Sequence, residues 1–309
     1  MLTQNKLILV KIEGSYGSDP TPTTGANFMA AHNIKVAPAP TYNPTLSTDV
    51  SLSKRAGTLG SKSVAISFEH QLQMNGATPP CDPLLLSCGF TDTASNGVYV
   101  PRTTSFQSCT IWVYEDGIKW AITGCRGNVE FNFKAGEPVT LTFNMQGRWA
   151  APTDVAYPTS VTDNGGKPCV AMNRAFVYTG GDGATNPVTE SLNFSLNNTI
   201  ALQPNLDDSV AHGIEAVVIT GRDAKGSFNP EAILAATTPA YWTDFAAVTQ
   251  VPITYIVGDG TDNLSVSLPK CEIENITPED QNGIGIYNIP FSMVRTTADD
   301  EMSLTFATA

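Results

Sequence analysis

Residues Ser108 to Gly147 read SCTIWVYEDGIKWAITGCRGNVEFNFKAGEPVTLTFNMQG. Side chains of a strand alternate between faces, and this stretch sorts itself in steps of two. Ile111 and Val113 point one way, Thr110, Trp112 and Tyr114 the other. After Asp116-Gly117, Ile118, Trp120 and Ile122 share a face, with Lys119, Ala121 and Thr123 opposite. After Arg126-Gly127, Val129, Phe131 and Phe133 alternate with Glu130, Asn132 and Lys134. After Gly136, Leu141, Phe143 and Met145 alternate with Thr140, Thr142 and Asn144. Four such runs separated by Gly-containing turns predict a four-stranded antiparallel meander. One face is apolar and needs a cover; the other is polar and can meet water.

Upstream, Leu7 to Gly14 predicts a short strand, and the Gly-, Pro- and Thr-rich Ser15 to Asn27 an extended arm. Asn33 to Val36 predicts another strand. In Ala37 to Asp49, Pro38, Pro40 and Pro44 exclude any central strand. A long segment of this kind reads either as a loop that contacts a partner or as a flexible surface loop. Ser63 to Leu72 resumes a strand with Val64, Ile66 and Phe68 on one face; His70 is assigned to the polar side, as a solvated residue. DPLLLSCGF, Asp82 to Phe90, predicts a short helix with Asp82 as N-cap, Pro83 at its first position and Gly89 as its stop. Leu84, Leu85 and Leu86 are too apolar for an exposed helix and are expected to cover the apolar face of the meander.

The Pro-, Gly- and Thr-rich Gly147 to Pro168 carries no period and reads as a linker. Beyond it the pattern recurs. An offset of 160 sets Asn33-Ile-Lys-Val36 on Asn193-Phe-Ser-Leu196 and Phe68 on Phe228, without a gap, and brings the Leu84 helix onto Asp244 to Thr249. An offset of 143 then sets Asp116-Gly117 on Asp259-Gly260. Ile253, Tyr255 and Val257, then Leu264, Val266 and Leu268, then Ile273, and finally Tyr287, Ile289, Phe291 and Met293 repeat the alternations of the first meander. Met302, Leu304 and Phe306 predict a closing strand. The expected fold is mainly β: two tandem sandwich or meander domains, each with one short helix, over residues 1–155 and 169–309 with a linker at 156–168.

Composition agrees with short strands and turns. Of 309 residues, 41% are hydrophobic and only 15% charged, with 25 Gly and 21 Pro, so the chain is neither disordered nor a charge-laced helical protein. The net charge of −12 argues against wrapping nucleic acid by phosphate neutralisation. It is compatible with surrounding a nucleic acid that must slide, or simply with solubility. Leu7 to Val10 is far too short to span a membrane, and no targeting signal is visible, which leaves the N-x-S/T matches at Asn193, Asn197, Asn263 and Asn275 as chance. Cys81, Cys88, Cys109, Cys125, Cys169 and Cys271 form no C-x-x-C pair. Cys109 and Cys125 flank the first hairpin and either pair in an oxidising compartment or remain buried thiols.

Catalytic chemistry finds no support. His32, His70 and His212 lie near no nucleophile elbow. The acidic Asp259 to Asn263 fails as a calcium loop, with Leu264 where the turn Gly belongs and Lys270 where the bidentate Glu belongs. Gly165-Gly166 and Gly180-Gly181-Asp182-Gly183 lack the lysine and the helix that a phosphate cradle needs. Asp299-Asp300-Glu301 reads as solvated. No catalytic residue, cofactor or metal ligand is therefore expected. Trp112 and Tyr114, on the polar side of their strand, either stack on a sugar or are buried against a neighbouring subunit, and enrichment of aromatics at interfaces favours the second.

LILVKIEGSYGSDPTPTTGAN, residues 7–27, resembles the opening of phage tail tube proteins from long non-contractile, siphovirus-type tails. DPLLLSCGF resembles their helix, Thr110 to Met145 their meander and GRWAAPTDVAYPT their mid-chain stretch. The resemblance implies a structural virion protein and not an enzyme. It implies a β-sandwich whose inner strands close into a barrel within a ring, with stacked rings forming the conduit for DNA ejection. Relatives with one tube domain per chain form hexameric rings, so two domains per chain imply a trimer, a pseudo-hexamer, with a hexamer as the alternative. It also implies self-association, neighbouring terminator and tip proteins, a tape measure protein inside the tube, DNA passing without specific binding, no membrane partner, and assembly in the host bacterial cytoplasm into the virion tail. The arm and the Ala37 to Asp49 loop would reach the next ring. Tyr16, Pro38, Pro40, Tyr42, Pro44, Trp112 and Tyr114 are the candidate inter-subunit contacts. A carbohydrate-binding or adhesin-type β-sandwich is the rival reading.

Overall fold

The computed structural model describes residues 5–47, 50–93, 96–163, 166–172, 175–207, 212–233, 240–258 and 262–308. The first half runs β1 (Lys6–Ile12), β2 (Phe28–Met29), β3 (His32–Asn43), β4 (Thr58–Gln71), α1 (Asp82–Ser87), β5 (Phe90–Asp92), β6 (Val98–Pro101), β7 (Cys109–Glu115), β8 (Ile118–Lys134), β9 (Thr140–Arg148) and β10 (Thr153–Asp154). The second runs β11 (Phe176–Gly180), β12 (Gly183–Thr185), β13 (Thr189–Ser195), β14 (Asn198–Pro204), β15 (Ile214–Arg222), β16 (Lys225–Pro230), α2 (Tyr241–Ala247), β17 (Val251–Gly258), β18 (Asp262–Ile273), β19 (Thr277–Gln281), β20 (Ile284–Met293) and β21 (Ser303–Thr308). The chain is mainly β, as its alternation predicts.

The predicted meander forms, with one correction. Arg126-Gly127 is no turn: β8 continues through it, so three strands replace four. β8 bends there instead and serves two sheets. Its first part pairs with β7, Trp112 opposite Ala121, and its second with β9, Val129 opposite Phe143. Ladder irregularities on both sides, between Cys109 and Ile111 and between Thr123 and Arg126, mark the bend, as bulges do where a strand changes direction. Two glycines permit it. Gly124 has φ of 64° with the Tyr16 ring packed on it, and a side chain at Gly127 would collide with the Asn144 carbonyl. Glycine demanded by a close approach looks, in sequence, like glycine demanded by a turn.

One sheet runs across both halves in the order β3-β4-β9-β8-β13-β16-β20-β18, and β19 extends its last edge along β20. Against it pack β2-β1-β7-β8-β10 in the first half and β12-β11-β17-β18-β21-β6-β5 in the second. The closing strand β21 thus joins β18 to β6 of the first half, Leu304 opposite Tyr99. A uniform offset of 160 does not carry across the sheet: Lys35 pairs with Ser67, but Ser195 pairs with Lys225, two residues off register. The second hairpin turn, Asp259-Gly260-Thr261, and Gly165 lie outside the described residues.

The facing sheets enclose the core. Val64, Ile66 and Phe68 meet Leu141, Phe143 and Met145, and Ile111, Val113 and Ile122 close over them. Leu84 and Leu85 of α1 are fully buried in this core and Leu86 packs on its margin, so the helix is the expected cover. Asp82 does not cap it; Cys81 holds that position without a side-chain bond, and the Asp82 carboxylate accepts the Tyr99 hydroxyl at 2.7 Å. Gly89 follows the helix with φ of 89°, where a residue with a Cβ would be strained. The linker segment is pinned to the first half: Val155 N–H donates to Gly117 O, Thr162 N–H to Thr24 O, and Gln73 to Gly166 O. All six cysteines are buried free thiols, Cys109 directly opposite Cys125.

His70 corrects its own assignment. It shares the parity of Val64, Ile66 and Phe68 and is fully buried, Nδ1 donating to Ala30 O at 2.7 Å, while Nε2 has no hydrogen-bond partner among the described residues. Burial lowers its pKa below 6.5; nearby His32 adds to that, while the Ala30 bond and Asp163 oppose it. The folded state therefore binds its proton less readily than the unfolded chain. The stabilisation is complete above about pH 6.5 and is lost as pH falls below it. Unfolding in denaturant at pH 6.5 and 5.5 is expected to show wild type losing up to about 1 kcal/mol more than His70→Gln over that unit. Parallel pH profiles would refute this.

Candidate assembly interface

The main sheet has two faces. The dry face carries Phe131, Phe133, Phe143, Phe194, Phe228, Phe291 and their aliphatic neighbours. On the other, β4, β9, β8, β13 and β16 present Ser67, Thr142, Asn144, Asn128, Asn132, Asn193, Ser227 and Asn229. These amides and hydroxyls tie the strands together: Ser227 donates to Asn193 at 3.0 Å and Ser191 to Asn229 at 2.7 Å. Charges on this face are few and mixed. Glu69, Glu130 and Glu272 stand with Lys134 and Lys225, and Lys225 reaches Glu274 at 2.9 Å. Hydrogen bonds to Ser292 and Lys225 hold the Glu274 carboxyl below its ordinary range. The wide wet face is therefore a carpet of amides and hydroxyls, and the chain's acidic excess is not concentrated on it.

Between the halves the sheet is continuous because β8 pairs with β13, Glu130 opposite Ser195 through Lys134 opposite Ser191. The Phe131 and Phe194 rings stack at 4.9 Å beneath this ladder, with Phe133 5.8 Å from Phe194. Ser195 Oγ donates to Val129 O and Ala135 N–H to Glu190 O, each at 2.8 Å. At the sheet's two ends the same kinds of strand lie open. β3 pairs with β4 on one side, and β19 pairs with β20 on one side. The β19 edge, Thr277-Pro278-Glu279-Asp280, is exposed and acidic; β3 carries His32 and Lys35.

β3 extends beyond the predicted strand to Asn43, into the segment read as a loop, of which residues 48 and 49 lie outside the described residues. Pro38 sits opposite Val64 and Pro40 opposite Lys62. Both prolines are therefore edge-strand residues, a setting in which a ladder tolerates proline, with the ring nitrogen turned away from the partner strand. Val36 lies two before Pro38 in the same ladder, opposite Ile66, so its N–H points to the open side. Beyond Ser63 opposite Arg148, where β9 ends, β3 and β4 continue as a two-stranded ribbon to Asn43 opposite Thr58. Tyr42, Pro44, Leu46 and Leu59 are exposed on it.

The corresponding ribbon of the second half, β14–β15, is folded over. The chain breaks at Asn197, φ 47°, and the hairpin crosses the strand ends of the first half. Arg126 donates to Val217 O at 2.7 Å, Arg148 to Glu215 O, and Lys62 N–H to His212 O at 2.9 Å. Asn198 Nδ2 donates to Cys88 O and Gly127 O.

Of the candidate contacts, Pro38, Pro40, Tyr42 and Pro44 share the open ribbon. Three others are taken up within the chain. Tyr16 lies between Arg126 and Arg148, its ring 4.9 and 5.1 Å from their guanidinium carbons, accepts Val217 N–H at 2.6 Å and donates to Gly124 O. Burial raises its pKa. Glu13 fixes the start of this arm by accepting from Gly17 N, Ser108 Oγ, Thr110 Oγ1 and Gly124 N. Tyr114 is 6% exposed, in a small cluster with Leu7, Leu9, Val155 and Tyr157. Trp112 donates to Asp19 at 3.0 Å and lies 3.8 Å under Lys119. Within the chain, Tyr16 is thus held by the two arginines and Tyr114 is covered by residues of the 153–157 segment.

Among the described residues no group of three His, Cys, Asp or Glu side chains is placed to hold a metal, and no helix is long and apolar enough to cross a membrane. A family model described as phage tail tube protein matches residues 3–293, nearly the whole chain. No curated protein matches.

Proposed function

The chain belongs to the phage tail tube protein family, and we propose that it is the major subunit of a siphovirus-type tail tube, built from two tandem tube domains, 1–155 and 169–309, and without enzymatic activity. Three chains form a pseudo-hexameric ring, and stacked rings form the conduit for DNA ejection. The observation that carries this reading is the β8–β13 ladder. The last strand of one four-stranded panel, β3-β4-β9-β8, pairs with the first strand of the next, β13-β16-β20 with β18 and β19. An open β3 at one end and an open β19 at the other allow the same head-to-tail contact between chains. Such heterologous contacts close into a ring when the rotation completes a circle. Closure also removes the exposed sheet edges that endanger a monomer.

In this ring the amide- and hydroxyl-rich face lines the lumen. A wall with few, mixed charges gives DNA phosphates nothing to grip, and leaves room for a tape measure protein before ejection. Tail terminator and tip proteins abut the ends of the stack. The subunit is made and assembled in the host cytoplasm and resides in the virion. Negative-stain microscopy of the purified protein tests the reading. Rings or tubes with three chains per turn are expected; six chains per ring would refute the trimer, and persistent monomers with glycan affinity would refute assembly in favour of a carbohydrate-binding sandwich.

A further inference from the structure

We propose that the β3–β4 ribbon of each chain docks on the second half of the neighbouring copy in the same ring, across the cavity beside Arg222, as β14–β15 docks on the first half of its own chain. The inference rests on the ring reading above and names the segment and the surface that meet in it.

The precedent is intramolecular. β13 pairs with β8, and the ribbon that follows β13 turns over β8, β9 and β4, where Arg126, Arg148 and Lys62 bind its backbone. β3 begins the first panel as β13 begins the second, and its ribbon leaves the sheet at the matching end: the β4–β9 ladder stops at Ser63 opposite Arg148, the β16–β20 ladder at Lys225 opposite Ser292. A neighbour whose β19 edge lies against β3 therefore presents β18, β20 and β16 to this ribbon, in the order in which β14–β15 meets β8, β9 and β4.

At those strand ends the second half is open. A cavity of about 380 Å³ lies there, lined among others by Thr220, Arg222, Asp223, Met293, Arg295 and Asp299. Arg222 anchors its floor, bonded to Arg102 O at 2.9 Å, Asp299 at 2.6 Å and Glu301. The ribbon is suited to such a seat. Its apolar side chains are uncovered, with Tyr42 and Leu59 each 60% exposed and Leu46, Val50 and Leu52 almost fully so. Exposed apolar side chains grouped in this way mark an interaction surface. In sequence its tip carries Lys54 and Arg55 beside the single acid Asp49, and the proposed seat carries Asp223 and Asp299.

A photo-crosslinking residue in place of Leu52, in assemblies made from mixed light and heavy isotope-labelled chains, tests this by mass spectrometry. Intermolecular links to residues 219–224 or 293–301 are expected. Rings whose links fall within one chain, or on the first half of another copy as contact with a stacked ring would give, overturn the docking and leave the ring standing. Wild-type protein that stays monomeric overturns both. Thr220→Trp, which fills the cavity mouth, is expected to raise the concentration needed for rings at least tenfold while the monomer's melting temperature is unchanged; unchanged assembly counts against the seat. Should that variant fail to fold, the cross-link map still decides.

Discussion

Val36→Pro is expected to yield a folded monomer that does not form rings at concentrations where wild type and Val36→Ala do. Pro38 and Pro40 show that β3 accepts proline at this parity, so Val36→Pro leaves the ladder to β4 in place. It removes the N–H that the open edge would offer to a neighbour. Each junction then loses a ladder bond worth about 0.5–1.5 kcal/mol net and strands a carbonyl at a cost of about 1–3 kcal/mol. Summed over the junctions of a ring, at about 1.4 kcal/mol per tenfold, the assembly concentration rises on the order of a hundredfold or more. Val36→Ala keeps the N–H and loses only part of a side chain that packs at the core margin. Sedimentation velocity across a concentration series distinguishes the three proteins. If Val36→Pro assembles like wild type, β3 is not the closing edge.

Phe131→Ala is expected to destabilise the monomer itself by about 3–5 kcal/mol, the range for emptying a fully buried aromatic site. Phe131 is wholly buried, stacked on Phe194 across the halves and edge-on to Phe90 at 6.3 Å. The melting temperature should fall on the order of 10 °C, at roughly 2–4 °C per kcal/mol. Because the partner ring belongs to the other half, a double-mutant cycle with Phe194→Ala should return a coupling of about 0.5–1.5 kcal/mol. The halves should also melt in one transition by calorimetry and by circular dichroism. Two separated transitions, or additivity within error, would show that the β8–β13 junction is an abutment without energetic weight.

Much of this was legible in the residues. Alternation from Ile111 to Met145 placed the core face correctly, and the apolar run at Leu84 announced a cover. His70 was equally legible, since it continues the parity of Val64, Ile66 and Phe68; residue type overrode the period. Arg126-Gly127 misled because a glycine needed for close backbone approach inside a bent strand resembles one needed to reverse the chain. Pro38 and Pro40 hid a strand because proline is barred from ladders in general but not from their outer edge. The least legible feature was the most consequential. Alternation shows that Phe131 and Phe194 each face a core, but not that β8 and β13 lie side by side, because which strand neighbours which is fixed by contacts far apart in sequence. Tyr114 was likewise placed on the correct side of β7, while the aperiodic segment 153–157 that covers it carries no pattern to announce it.

The ladder between β8 and β13 forms within one polypeptide, and this changes the concentration dependence of any ring built from it. In a ring of three such chains, every second seam is closed by folding, at an effective concentration fixed by the covalent tether and independent of dilution. Only the alternate seams depend on molecular encounters. At equilibrium the ring concentration therefore rises with the third power of free chain, where untethered single domains would face the sixth, which softens the concentration threshold for starting a tube. The tether also sets the sequence of the seams: strands of one half cannot close on their own kind while the other half already occupies the seat beside them.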